Sequence, residues 1–176
     1  MMKTLMLAAV AALSIAPIGA TTSAFAHAGV VHNGCEAGKA FSAGDIAVSG
    51  AFTRATLPGA KSAGGFMTIV NAGAEADRLV GASTKTAKTT QIHEMKMEGD
   101  MMKMRALPEG VEIPAGGTVE LAPGGYHVMM MGLVQPLAEN ACVEVILTFE
   151  KAGDLPVMLN IGAPDAKVAP EGHAHH

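Results

Sequence analysis

Two histidines, His93 and His127, stand among eight of the chain's thirteen methionines, all of which fall between Met95 and Met131. Neutral imidazole combined with thioether, with no thiolate beside it, is a donor set for a soft metal ion. It matches copper, and the thioethers favour Cu(I) over Cu(II). Zinc would draw on Cys or on Asp and Glu. A methionine cluster by itself is more often packing, because Met fills irregular gaps in a core. Two histidines interleaved with the methionines at strand spacing turn the reading toward copper. Thioethers carry no proton, so Cu(I) affinity should weaken only as pH falls below the ordinary imidazole pKa of about 6.5.

These residues need strands to bring them together. QIHEMKM and MMKMRAL alternate with period 2 around a glycine-bearing turn, which reads as a β-hairpin closed by Glu98 and Gly99. In that register His93 faces Met104, Met95 faces Met102 and Met97 faces Asp100. Residues two apart on a strand share a face, so His93, Met95, Met97, Met102 and Met104 form one patch. Glu94, Lys96, Glu98, Lys103 and Arg105 form the other, which suits water. GGYHVMMM divides the same way, with Tyr126, Val128 and Met130 turned to a core and His127, Met129 and Met131 turned away from it. Two imidazoles and at least two thioethers could then converge.

The arrangement resembles the PCu(A)C copper chaperones of the periplasm. Their motif is His, ten residues, Met, about twenty-one residues, then His-x-Met; here it runs His93, ten residues, Met104, twenty-two residues, then His127-Val128-Met129. The additional residue is expected in the loop Leu107 to Gly110, where a change of length costs little. ATLPGAKSAGGFMTIVN, ADRLVGAS, IPAGGTVELAPGGYH, MMGLVQPL and LTFEKAG extend the resemblance over most of Ile46 to Ile161. It implies an all-β, cupredoxin-like antiparallel Greek-key barrel or sandwich. It also implies Cu(I) bound by His93, Met104, His127 and Met129, and delivery to the CuA centre of cytochrome c oxidase or to another periplasmic copper protein. Met95, Met97, Met102 and Met131 are read as packing or transfer ligands, the first two as accessory metal positions.

The chain starts with Lys3, an apolar run and Ala24-Phe25-Ala26, the pattern of a secretory signal peptide over residues 1–26 with cleavage before His27. Ser14, Pro17 and Gly19 interrupt the run, and no second stretch approaches the ~20 apolar residues of a membrane span. Processing leaves 150 residues, 11 basic and 16 acidic, enough for one domain. An acidic chain with no Trp and one Tyr is a poor match for nucleic acid. In an exported chain the two cysteines, Cys35 and Cys142, are expected to form a disulfide. The rival reading makes them thiol ligands or a redox pair. His27, with a free amine after processing, and His32 offer a second, Cu(II)-type chelate. His173, His175 and His176 offer another, since short His-rich tracts capture Cu(II).

Around these lie residues 27–45 as an extension, 46–162 as the copper-binding domain, and 163–176 as a flexible tail. IAVSGAFTRAT, GGFMTIVN, RLVGAS, Thr118 to Leu121, VEVILTFEKAG and LPVMLNIG read as further strands between Gly- and Pro-rich turns. Short, regularly spaced strands with little helical pattern point independently to an antiparallel sandwich or barrel. No Ser/His/Asp set, phosphate loop or carboxylate pair marks an enzyme. A copper store would use the same ligands as a chaperone. An electron-transfer cupredoxin would need a Cys thiolate beside two His, and neither Cys lies in the His/Met stretch.

Overall fold

The computed structural model describes residues 39–170 in full and His32 and Asn33 as backbone. Twelve strands follow one another: β1 (His32–Asn33), β2 (Phe41–Ala43), β3 (Ile46–Arg54), β4 (Ser62–Asn71), β5 (Asp77–Ser83), β6 (Ala87–Glu98), β7 (Met101–Ala106), β8 (Val111–Ile113), β9 (Thr118–Leu121), β10 (Tyr126–Leu133), β11 (Ala141–Phe149) and β12 (Gly153–Gly162). No helix long and apolar enough to cross a membrane occurs among the described residues. The all-β expectation holds. Hydrogen bonding runs in the order β7-β6-β10-β9-β4-β3-β12-β11-β5-β8, with β10 also pairing β4 directly. Most pairs are antiparallel, but β12 runs parallel to β3 and β10 parallel to β9.

Period-2 alternation places one continuous core between the strands. Val143, Val145, Leu147 and Phe149 of β11 meet Leu155, Val157, Leu159 and Ile161 of β12 across a hairpin, all of them buried. Ile69 of β4, Ile92 of β6, and Val128 and Met130 of β10 join them. Strand β3 changes face partway along. Gly50 adopts φ +60°, and the β3–β4 register slips by one residue between Ser49 and Phe52. This is a β-bulge, and one inserted residue reverses the parity that follows it. Ile46 and Val48 before the bulge and Ala51 after it face the core, while Phe52 is carried to the other side. There it packs on Phe66 of β4, ring centroids 5.1 Å apart.

Besides the two-residue β1, two short strands were not anticipated. β2 lies in the segment read as an extension and pairs β3 through Phe41↔Val48, so the sheet begins ahead of Ile46. β8 pairs β5, with Leu79 opposite Val111. Three residues carry too little alternation to register as a strand; the edge of the sheet selects them. At the other end, the first part of the tail is held against the sheet, since Arg54 Nε donates to Ala166 O at 2.7 Å. β1 sets His32 opposite Cys142 on β11. Cys142 is buried and disulfide-bonded, while Cys35 lies outside the described residues.

Candidate metal centre

Strands β6 and β10 lie side by side, and their register sets His93 directly opposite His127. Paired residues on an antiparallel ladder project to the same face, and the two rings meet edge-on, centroids 5.7 Å apart. Both are nearly buried, at 8% and 5% exposure. The face is the one away from the core, because Val128 and Met130, the alternating partners of His127 on β10, are fully buried inside.

Hydrogen bonds fix a different tautomer on each ring. His93 Nε2 donates to Gln91 Oε1 at 2.9 Å, which leaves Nδ1 with the lone pair. That Nδ1 is buried and has no hydrogen-bond partner. His127 Nδ1 donates to Gly125 O at 3.1 Å, which leaves Nε2 as its bare nitrogen. A buried, orphaned acceptor is costly in a native protein, and a metal ion is one group that satisfies it. Burial first, and the neighbouring His127 second, hold the His93 imidazole below its ordinary pKa, so the ring is kept neutral, the form a metal requires. Phe66 closes one side, its centroid 6.4 Å from that of His127, and the Arg54 guanidinium lies 5.5 Å over the Phe66 ring.

The hairpin of β6 and β7 corrects the expected register by two residues. Glu98 pairs with Met101, so the turn residues are Gly99 and Asp100, and Gly99 takes φ +61°. Glycine with positive φ at the first central position is the type II′ hairpin arrangement. His93 therefore faces Ala106 rather than Met104, Met95 faces Met104, and Met97 faces Met102. A slip of two preserves parity, so the five expected residues still share the face that carries His127 and Met129.

Gln91 is opposite Met129. On ideal strand spacing, Met129 and Met95 each stand roughly 7 Å, and Met104 roughly 10 Å, from the point midway between the two histidine Cα atoms. The imidazole rings lie against each other in the fold, and thioethers flank them. Met95 becomes as well placed as Met129, while Met104 reaches the centre only if the hairpin curls toward β10. Among the described residues no three of His, Cys, Asp and Glu converge, so sulfur is the natural complement to the two nitrogens.

Residues 46–161 match the family model "Putative lipoprotein LpqE-like". The chain belongs to the LpqE-like family. Consistent with this, it is 34% identical over 116 residues to "Putative lipoprotein Lxx21020" of Leifsonia xyli subsp. xyli, covering 66% of this chain and 69% of that one. The fold of this chain is similar to that of PCuAC domains. The copper-bound PCuAC domain from PmoF2 superposes with a TM-score of 0.61 at 26% identity, covering 72% of this chain and 99% of that domain. The solution structure of CuI-DR1885 from Deinococcus radiodurans gives 0.56 at 29% identity, covering 73% and 83%.

In this LpqE-like chain the remaining candidates separate from the centre. Met131 shares the outer face of β10, opposite Thr89. His32 pairs at the backbone with β11, which has no hydrogen-bonded pairing to β6, β7 or β10. His27, His173, His175 and His176 lie outside the described residues. Gln91 and Gly125, which orient the two rings, were not anticipated. Both lie two residues before the ring they orient, a local spacing; Gly125 acts through its backbone oxygen, which carries no residue-type signal.

Proposed function

We propose that this protein is an exported Cu(I)-binding carrier that holds one ion between His93 and His127 and passes it to a periplasmic partner. The observation that carries the reading is the buried, unpartnered Nδ1 of His93 set beside His127, each ring locked by an outer hydrogen bond so that one lone pair remains. Met129 supplies one thioether, and Met104 or Met95 the next. Imidazole and thioether are neutral, soft donors, and a site on the outer face lets an incoming partner exchange ligands one at a time. The copper-bound neighbours support the choice of ion. The resemblance to PCu(A)C chaperones supports a CuA-bearing oxidase subunit as recipient. Membership in a family described as lipoproteins supports export, with residues 1–26 as the leader. Cys35 is proposed as the partner of Cys142, since the chain has no third cysteine and β1 lies against β11 at that point.

Titration with Cu(I) against a competing chelator tests the site. His93→Ala/His127→Ala should abolish competition at the centre, and Met129→Leu should weaken it while keeping the side-chain volume. Unchanged binding by the double histidine variant would overturn the reading. Comparing Met95→Leu with Met104→Leu identifies the second thioether. Loss of copper to an apo CuA domain, followed by its absorption, separates a carrier from a store.

A further inference from the structure

The β6–β7 hairpin carries a ladder of sulfur that the histidine centre does not use up. Met95 pairs directly with Met104, and Met97 directly with Met102. Leu107 N donates to Ile92 O at 2.8 Å, which makes the residues 92 and 107 a hydrogen-bonded pair. Counting outward from it, both methionine pairs fall at non-hydrogen-bonded positions, where Cα atoms approach to about 4.5 Å and side chains are closest. All four thioethers share one face. Met97, Met102 and Met104 are 54%, 50% and 50% exposed.

Packing does not account for them. The core methionines, Met67 and Met130, are buried at 3% and 0%, as gap-fillers are. On an exposed hairpin Val, Ile and Thr are the better strand formers, and an exposed Met is open to oxidation. What Met offers there and those residues lack is a soft sulfur on a flexible stem. The opposite face holds the hairpin in register independently, through Arg105 to Glu94 and Lys103 to Glu98, each at 2.7 Å. The ladder is thus presented ready-made.

We infer that the hairpin is a second soft-metal site, in which Met97 and Met102, completed by one thioether of the Met95–Met104 pair, bind a monovalent d10 ion, Cu(I) or its surrogate Ag(I), separately from the two imidazoles. The identity of the ion rests on the copper reading above; the site itself does not rest on the histidines. An all-thioether site selects against Zn(II) and Cu(II), which prefer nitrogen, oxygen or thiolate.

Ag(I) titration of the disulfide-intact protein, followed by native mass spectrometry and by the methionine methyl resonances, tests this. The wild type should take two ions and shift the methyls of Met97 and Met102. Met97→Leu/Met102→Leu, exposed and volume-conserving, should take one. His93→Ala/His127→Ala should also take one, with the Met97 and Met102 methyls still shifting. A leucine variant that takes as many ions as the wild type, or unshifted Met97 and Met102 methyls, would overturn the proposal. Failure of the imidazole centre alone would show differently, as a histidine variant that binds the same number of ions as the wild type.

Discussion

Gln91 is not itself a proposed metal donor, yet its hydrogen bond decides which nitrogen of the His93 ring is free. Orienting partners of ligating histidines commonly change metal affinity by 10- to 100-fold when removed. Gln91→Ala is therefore expected to weaken Cu(I) binding by about tenfold, with the thermal midpoint little changed; an affinity equal to wild type would mean that the ring needs no outer partner. Asp77 acts at the same scale on stability. Its carboxylate is buried, which by itself raises the pKa. Hydrogen bonds from the backbone N–H groups of Lys151, Arg78 and Ala152, with the Lys151 charge, outweigh that and hold the pKa below its ordinary value. A depressed carboxylate contributes stability that is present above its unfolded pKa of about 3.9 and is lost as pH falls through the lower folded value. Asp77→Asn should unfold at lower denaturant than wild type at pH 7, and the gap should narrow below about pH 4. A gap that stays constant through that range would assign the effect to shape rather than charge.

At the scale of elements, the hairpin depends on Gly99. A side chain at its positive φ meets the left-handed penalty of about 1–2 kcal/mol, although nothing lies within 4 Å of the position a Cβ would take. Gly99→Val should therefore fray the turn without a steric clash elsewhere, and the cost should appear as weaker soft-ion binding by the hairpin and faster amide exchange in β7. Equal exchange in the two proteins would mean that the ion pairs Glu94–Arg105 and Glu98–Lys103 suffice to hold the register. The bulge at Gly50 plays the corresponding part in β3. It brings Phe52 onto Phe66, and so backs the wall beside His127. Gly64 serves the same wall, since a Cβ there would come within 2.9 Å of the Phe66 ring. Gly64→Ala should move that ring, and a shifted His127 resonance would report it.

Over the whole molecule, the proposed Cys35–Cys142 bond would join the segment ahead of β2 to β11. It closes a loop of about 107 residues, which the chain-entropy model values at roughly 4–5 kcal/mol less any strain. Reduction, or Cys35→Ser with Cys142→Ser, should lower the denaturation midpoint by a corresponding amount while leaving Cu(I) stoichiometry unchanged. A loss of copper on reduction would instead tie the cysteines to metal handling. The centre belongs to the other flank of the topology, on β6 and β10, and the core between β11 and β12 supports it only through the sheet that both share.

Donor chemistry, strand parity and the all-β class were legible in the residues themselves, because each depends on residue type or on a spacing of two. That His93, Met95, Met97, Met102 and Met104 share a face survived a register error of two, since parity is indifferent to such a slip. The pairing of His93 with His127 was beyond local pattern. It depends on β6 and β10 becoming neighbours, thirty-odd residues apart in the chain, and that adjacency is set by burying Ile92 with Val128 and Met130 in one core. The burial of the bare Nδ1 of His93, the short strands β2 and β8 and the inversion of Phe52 likewise exist only once non-local strands meet. Local sequence carries the period of a side chain, while the partner across the ladder is chosen by the packing of the whole sheet.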